Sequence, residues 1–251
     1  MNLEQLQKEN DELKRRLAIA QAWMAREVKN QIQTIYKEKT ENTPLNSETL
    51  AETIEENIRN FFGDMVIINL PNGVIENITA AEIGLYHLEQ DPHLDGFTVI
   101  SSYHKALDAC IESFIIRDFR KFSKKQGKIY LRKNDLLEKA LHAVVNQGYI
   151  LSVGRLFHIL SEIQSGESGG EYQEQFRLYL KKYDFLATIL LSTSFLKIFK
   201  QLMDTEVLGS KRHSGSVSIE ETKYARKLLI GDFDETSCLL HQLIQTQQLD
   251  I

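Results

Sequence analysis

Proline, cysteine and tryptophan are scarce in this chain of 251 residues, which has three, two and one of them respectively. The prolines, Pro44, Pro71 and Pro92, all fall within the first 92 residues. Nothing after them carries the ring that removes a helix donor and clashes with the preceding turn. An all-helical C-terminal part is expected from that. The two cysteines, Cys110 and Cys238, lie far apart in apolar stretches. That excludes the dense disulfide framework of a small secreted domain, and both read as reduced core thiols.

Long apolar runs are missing as well. The longest uncharged one, Phe185 to Leu196, falls short of the roughly 20 residues that a spanning helix needs. The N-terminus is acidic and amphipathic, not a basic region followed by an apolar one. A soluble, cytoplasmic protein without a membrane span is expected. Nucleophile-elbow, phosphate-loop and dinucleotide glycine patterns are absent. The seven histidines form no pair at zinc-ligand spacing. The chain is therefore read as non-enzymatic, with no catalytic residue, metal or cofactor.

What is present begins with a heptad stripe. Position a holds Leu3, Asn10, Leu17 and Met24, and position d holds Leu6, Leu13 and Ala20. A lone Asn at an a position weakens such a seam but specifies two parallel, in-register strands. Glu9 at g faces Lys14 at the following e, an attractive contact between chains. The register slips after Met24, where Val28, Ile32 and Ile35 continue one residue out of phase. Residues 1–38 are thus expected to form a coiled-coil dimerisation helix with its seam at Leu3, Leu6, Asn10, Leu13, Leu17 and Met24. Only three clean heptads precede the slip, so the seam is weak on its own. A polar linker follows over 39–46, and 47–251 form the globular domain.

Apolar residues make up 42% of the chain and charged residues 26%, near globular averages. The length suffices for a proper core. Ser47 opens a helix through Phe62 with Leu50, Ile54, Ile58 and Phe61 on one face. Residues 65–78 read as a β-hairpin: two apolar, β-branched runs flank Asn72-Gly73, the dipeptide that accepts a type I′ turn. Thr79 and Glu82 have the spacing of a capping box for a helix to about Gln90. Ser101 or Ser102 would cap the next long helix. Further helices are expected near 134–147, 151–164, 172–184, 186–204, 218–230 and 233–247, as a multi-helix bundle. The helix over 185–203 is apolar nearly all round and belongs at the centre.

One stretch stands out by charge. From Arg117 to Lys133 there are eight cations (Arg117, Arg120, Lys121, Lys124, Lys125, Lys128, Arg132 and Lys133) against one acid, Asp118. The segment is net +7 in a chain of net −5. Such a patch either faces an anionic partner or forms a solvated helix end favoured by the helix dipole. Residues 140–159 have the outline of a DNA-reading helix-turn-helix, but Val144, Gln147 and Gly154 occupy its key positions, and a helical hairpin explains them better. The sequence therefore points to a dimeric adaptor that presents a helical domain to a protein partner. The alternative is a nucleic-acid-associated regulator using the patch at 117–133.

Overall fold

The computed structural model describes residues 47–91, 93–127, 135–167, 169–208, 216–233 and 235–247. The heptad helix, the linker and the cations Lys128, Arg132 and Lys133 lie outside the described residues. The chain divides between Glu52 and Thr53. Of the N-terminal unit only 47–52, the start of the first helix, are described. The body from Thr53 onward is helical, with no strand among the described residues.

Helix α1 spans Ser47–Phe62, and within the body it buries Ile54, Ile58 and Phe62. Gly63, at φ +85°, ends it and leads into the short α2, Asp64–Asn69. Helix α3 then runs from Val74 to Gln90. The expected β-hairpin over 65–78 is therefore not formed. Both of its apolar runs are helical, and Asn72-Gly73 is the turn between them, with Gly73 in the left-handed region at φ +83°. The physical reason lies downstream. Val74, Ile78, Ala81, Leu85 and Leu88 recur at helical spacing and are all buried. A lone hairpin is marginal in water, whereas this stripe adds a full helical face to the core. Thr79 consequently sits buried in mid-helix and caps nothing.

The centre of the body is a rod of continuous helical backbone: α4 (Phe97–Ile111), a π-helical turn (Glu112–Ile116) and α5 (Arg117–Lys125). At 1.5 Å per residue it is roughly 43 Å long. It starts at Phe97 rather than at Ser101 or Ser102, because Asp95 Oδ1 accepts the Phe97 N–H at 2.9 Å. The α3 and α4 helices pack as an antiparallel pair. Gly84 permits the close approach, since a Cβ there would stand 3.1 Å from Val99.

The two halves of the rod have different neighbours. Helix α4 packs against α3, α11 (Ile219–Ile230) and α12 (Leu239–Gln245), whereas α5 packs against α6 (Leu136–Gln147) and α8 (Glu171–Lys182). Helix α7 (Val153–Ser165) joins α6 to the rest as an antiparallel hairpin around Gly148, as expected. The apolar stretch 185–203 is not one helix but two, α9 (Asp184–Leu190) and α10 (Thr193–Asp204), bent by 49°. Ser192 breaks it, accepting the Phe195 N–H at 3.1 Å as the cap of α10. Together the two have the length and hydropathy of a broken span, yet Leu186, Leu190, Phe195, Phe199 and Leu202 are buried within the body. Among the described residues no single helix is long and apolar enough to cross a membrane.

Candidate interaction surface

Five of the eight predicted cations lie on α5, and geometry separates them. Phe119 and Ser123 face inward. Phe119 meets Phe176 at 4.7 Å and Tyr179 at 5.7 Å between ring centroids, and the Ser123 hydroxyl donates to the Gln175 side chain on α8. The edge-to-face pair of Phe119 with Phe176 adds about 0.5–1.5 kcal/mol beyond its burial. With about 100° between successive residues, this anchoring turns Arg120, Lys124, Arg117, Lys121 and Lys125, in that angular order, onto one outward arc.

Arg120, at the edge of the arc, belongs to the fold. Its guanidinium pairs with Glu112 of the π turn at 2.8 Å and donates to the Val144 carbonyl at 2.9 Å, tying the rod to the end of α6. Among the described residues Lys121 pairs with Asp118, one turn back at 2.9 Å, and both are exposed enough that the pair contributes little. Arg117, Lys124 and Lys125 are exposed, with no ion pair among the described residues. The arc also borders an apolar patch: Tyr149 and Ile150 of the α6–α7 turn are 63% and 65% exposed, and the Tyr149 carbonyl lies 3.5 Å from Arg120 Nη2. At the opposite edge, Lys182 stands 5.8 Å over the Phe122 ring, which adds a sixth cation. Sequence reasoning missed Tyr149, Ile150 and Lys182, because only the packing of α5 on α6 and α8 brings them to the patch.

A second constellation was not legible at all. Glu82 of α3 receives two hydrogen bonds from Arg226 of α11, at 2.8 and 2.9 Å, and one from the Tyr103 hydroxyl of α4. Burial and the Glu82 charge hold the Tyr103 phenol above its ordinary pKa, so it remains a donor. Burial opposes the Arg226 charge, but Glu82 outweighs it and keeps the guanidinium protonated. The remaining Arg226 nitrogen pairs with Asp232. A groove of about 450 Å³ opens beside this network between α3 and α11.

A smaller cavity of about 180 Å³ lies along α4 at His104 and Asp108, which pair at 3.3 Å. Among the described residues no group of three or more His, Cys, Asp or Glu side chains is arranged to hold a metal ion. Comparison with protein-family models, with curated proteins and with solved structures finds no match for this chain.

Proposed function

We propose that this protein acts by binding rather than by catalysis, as a dimeric adaptor whose helical body offers the outward arc of α5 to an acidic protein partner. The observation that carries this reading is the unneutralised row Arg117, Lys124 and Lys125 on an arc whose Arg120 edge meets the turn bearing the exposed Tyr149 and Ile150. A partner that brings carboxylates to the cations and apolar side chains to the turn would match both halves of the patch. Pairing of two chains through the seam at Leu3, Leu6, Asn10, Leu13, Leu17 and Met24 would present the surface twice, and linked sites gain avidity without new contacts.

The test is cross-linking in the native cell with the full chain and with a triple charge reversal, Lys121→Glu, Lys124→Glu and Lys125→Glu. Loss of specific protein cross-links in the reversed chain supports the reading, and an unchanged set of partners overturns it. Sedimentation tests the seam: a full chain that runs as a monomer at micromolar concentration removes the dimer.

Tyr149 favours a second reading, because an exposed aromatic beside cations can stack on an unpaired base. Fluorescence anisotropy with single- and double-stranded oligonucleotides over a salt series separates the two. Nucleic-acid binding must weaken steeply with salt and vanish in the reversed chain.

A further inference from the structure

The groove between α3 and α11 is closed at one end by a strained turn. Gly231, Asp232 and Phe233 have φ of 59°, 53° and 61°, three left-handed residues in succession. Asparagine and aspartate tolerate that region, but for a bulky Phe it is an outlier that costs on the order of 1 kcal/mol or more. Three contacts hold the turn. Phe233 packs against the Arg226 guanidinium at 5.4 Å and edge-on against Phe61 at 5.6 Å, and the Asp232 carboxylate sits on Arg226 Nη1.

Arg226 thus has two very different anionic partners. Glu82 is enclosed and fixed by three donors, whereas Asp232 is 42% exposed at the groove and reaches Arg226 from a loop. Lys223, one turn before Arg226, and Lys227, the residue after it, line the same wall, and Leu85 and the half-exposed Tyr224 supply apolar surface. Glu89 across the groove pairs with Lys223 at 2.8 Å, the half-exposed Lys227 pairs with Glu235 at 3.6 Å, and the exposed Glu220 also lines the groove, so an entering anion exchanges for the Asp232 carboxylate rather than adding to it.

We propose that this groove binds a small oxyanion, a phosphate monoester or carboxylate carrying an apolar or aromatic body, and that the Asp232 carboxylate occupies the anion's place in the free protein. The ligand's oxygens take the third donor position of Arg226, within reach of Lys227, and its body lies on Leu85 and Tyr224. Displaced Asp232 then lets the turn at 231–233 leave the left-handed region. Relief of that strain offsets part of the cost of breaking the ion pair. The α5 surface takes no part in this site.

Because Asp232 competes with the ligand, apparent affinity is reduced to the fraction of molecules in which Arg226 Nη1 is vacant. Phenyl phosphate is the probe, titrated calorimetrically into the full chain, with benzyl alcohol as its uncharged counterpart. Asp232→Asn, which suits the same backbone, should tighten phenyl phosphate binding about tenfold by removing the competitor. Lys227→Ala should weaken it, and benzyl alcohol should not bind detectably. The triple reversal at Lys121, Lys124 and Lys125 should leave the Asp232→Asn affinity unchanged. Equal affinity in the wild type and Asp232→Asn, or no binding by either at about 10 mM, overturns the proposal. So does loss of binding in the triple reversal, which would transfer the anion to α5.

Discussion

Arg226 and Glu82 lie 144 residues apart in the chain and meet through two parallel hydrogen bonds of 2.8 and 2.9 Å, with both side chains at most 15% exposed. The pair ties α11 to α3 directly over α4, and the Tyr103 hydroxyl completes it from below. Removing one member strands a charge that water reaches poorly. Glu82→Leu or Arg226→Met alone should each cost about 3–5 kcal/mol, while the double replacement costs much less than their sum. Urea unfolding of the four chains in a double-mutant cycle measures the coupling, and strict additivity would show the pair to be energetically idle.

Glu138 is a buried carboxylate with a different task. From α6 it accepts the backbone N–H groups of Tyr172 and Gln173 at 3.1 and 2.8 Å, so it caps the start of α8 across 34 and 35 residues of chain. Burial pushes its pKa up from 4.5, and the two N–H donors pull it back only in part. The folded state therefore holds the Glu138 proton to higher pH than the unfolded chain does. Its contribution to stability is fully present at low pH and is lost as pH rises from the ordinary glutamate range through the raised value. Glu138→Gln should flatten that part of the stability–pH profile, measured by denaturation between about pH 4 and 7. Glu138→Ala should cost roughly 2–3 kcal/mol at low pH by leaving two buried donors unsatisfied, and less as pH rises through the raised value. Gly170→Ala should be comparably harmful, since its Cβ would fall 2.2 Å from the Glu138 carboxyl carbon.

Arg120 and Lys124 share a helix and a charge yet should respond in opposite ways. Arg120→Ala breaks the bonds to Glu112 and Val144 and should lower stability by about 1–3 kcal/mol. Lys124→Ala touches no partner among the described residues and should stay within about 0.5 kcal/mol of the parent. Thermal unfolding of the two variants is the measurement, and equal effects would contradict the assignment of Arg120 to the fold.

Cys110 and Cys238 should be inert. Burial alone pushes the Cys110 thiol up to about 12, and burial is the largest cause of the same shift at Cys238. The thiolate is the nucleophile, so at pH 8 almost none is available. Alkylation by iodoacetamide should be negligible in the native protein and complete in urea. Rapid labelling of either thiol without denaturant would mean that the helix of Cys110, or the helix start capped by Cys238, opens locally.

Much of the helical order could be read directly. The helices at 136–147, 153–165, 171–182 and 219–230 fall within a few residues of the expected spans, because apolar residues at 3.6-residue spacing and the breaks at Gly148, Gly166 and Gly231 are local signals. The stretch 65–78 misled for the same reason. Its β-branched residues and Asn72-Gly73 are local strand and turn cues, and the deciding term was the burial of Val74 and Ile78 together with Ala81, Leu85 and Leu88. A short Ser-containing break at 191–192 likewise divided a stretch whose composition alone reads as one helix.

The cation-rich segment was legible as charge but not as a surface. Sequence by itself determined that Arg117, Arg120, Lys121, Lys124 and Lys125 form a dense run of cations interleaved with Phe119 and Phe122. Only the tertiary structure decided that these cations share one helix, that Arg120 turns to Glu112 and Val144 while Lys124 turns to solvent, and that the turn carrying Tyr149 and Ile150 meets the arc at Arg120. It alone brought Glu82, Tyr103, Arg226 and Asp232 together. Ion pairs and cavities depend on side chains meeting across many tens of residues, and no periodicity along one helix encodes which distant helix will lie against it.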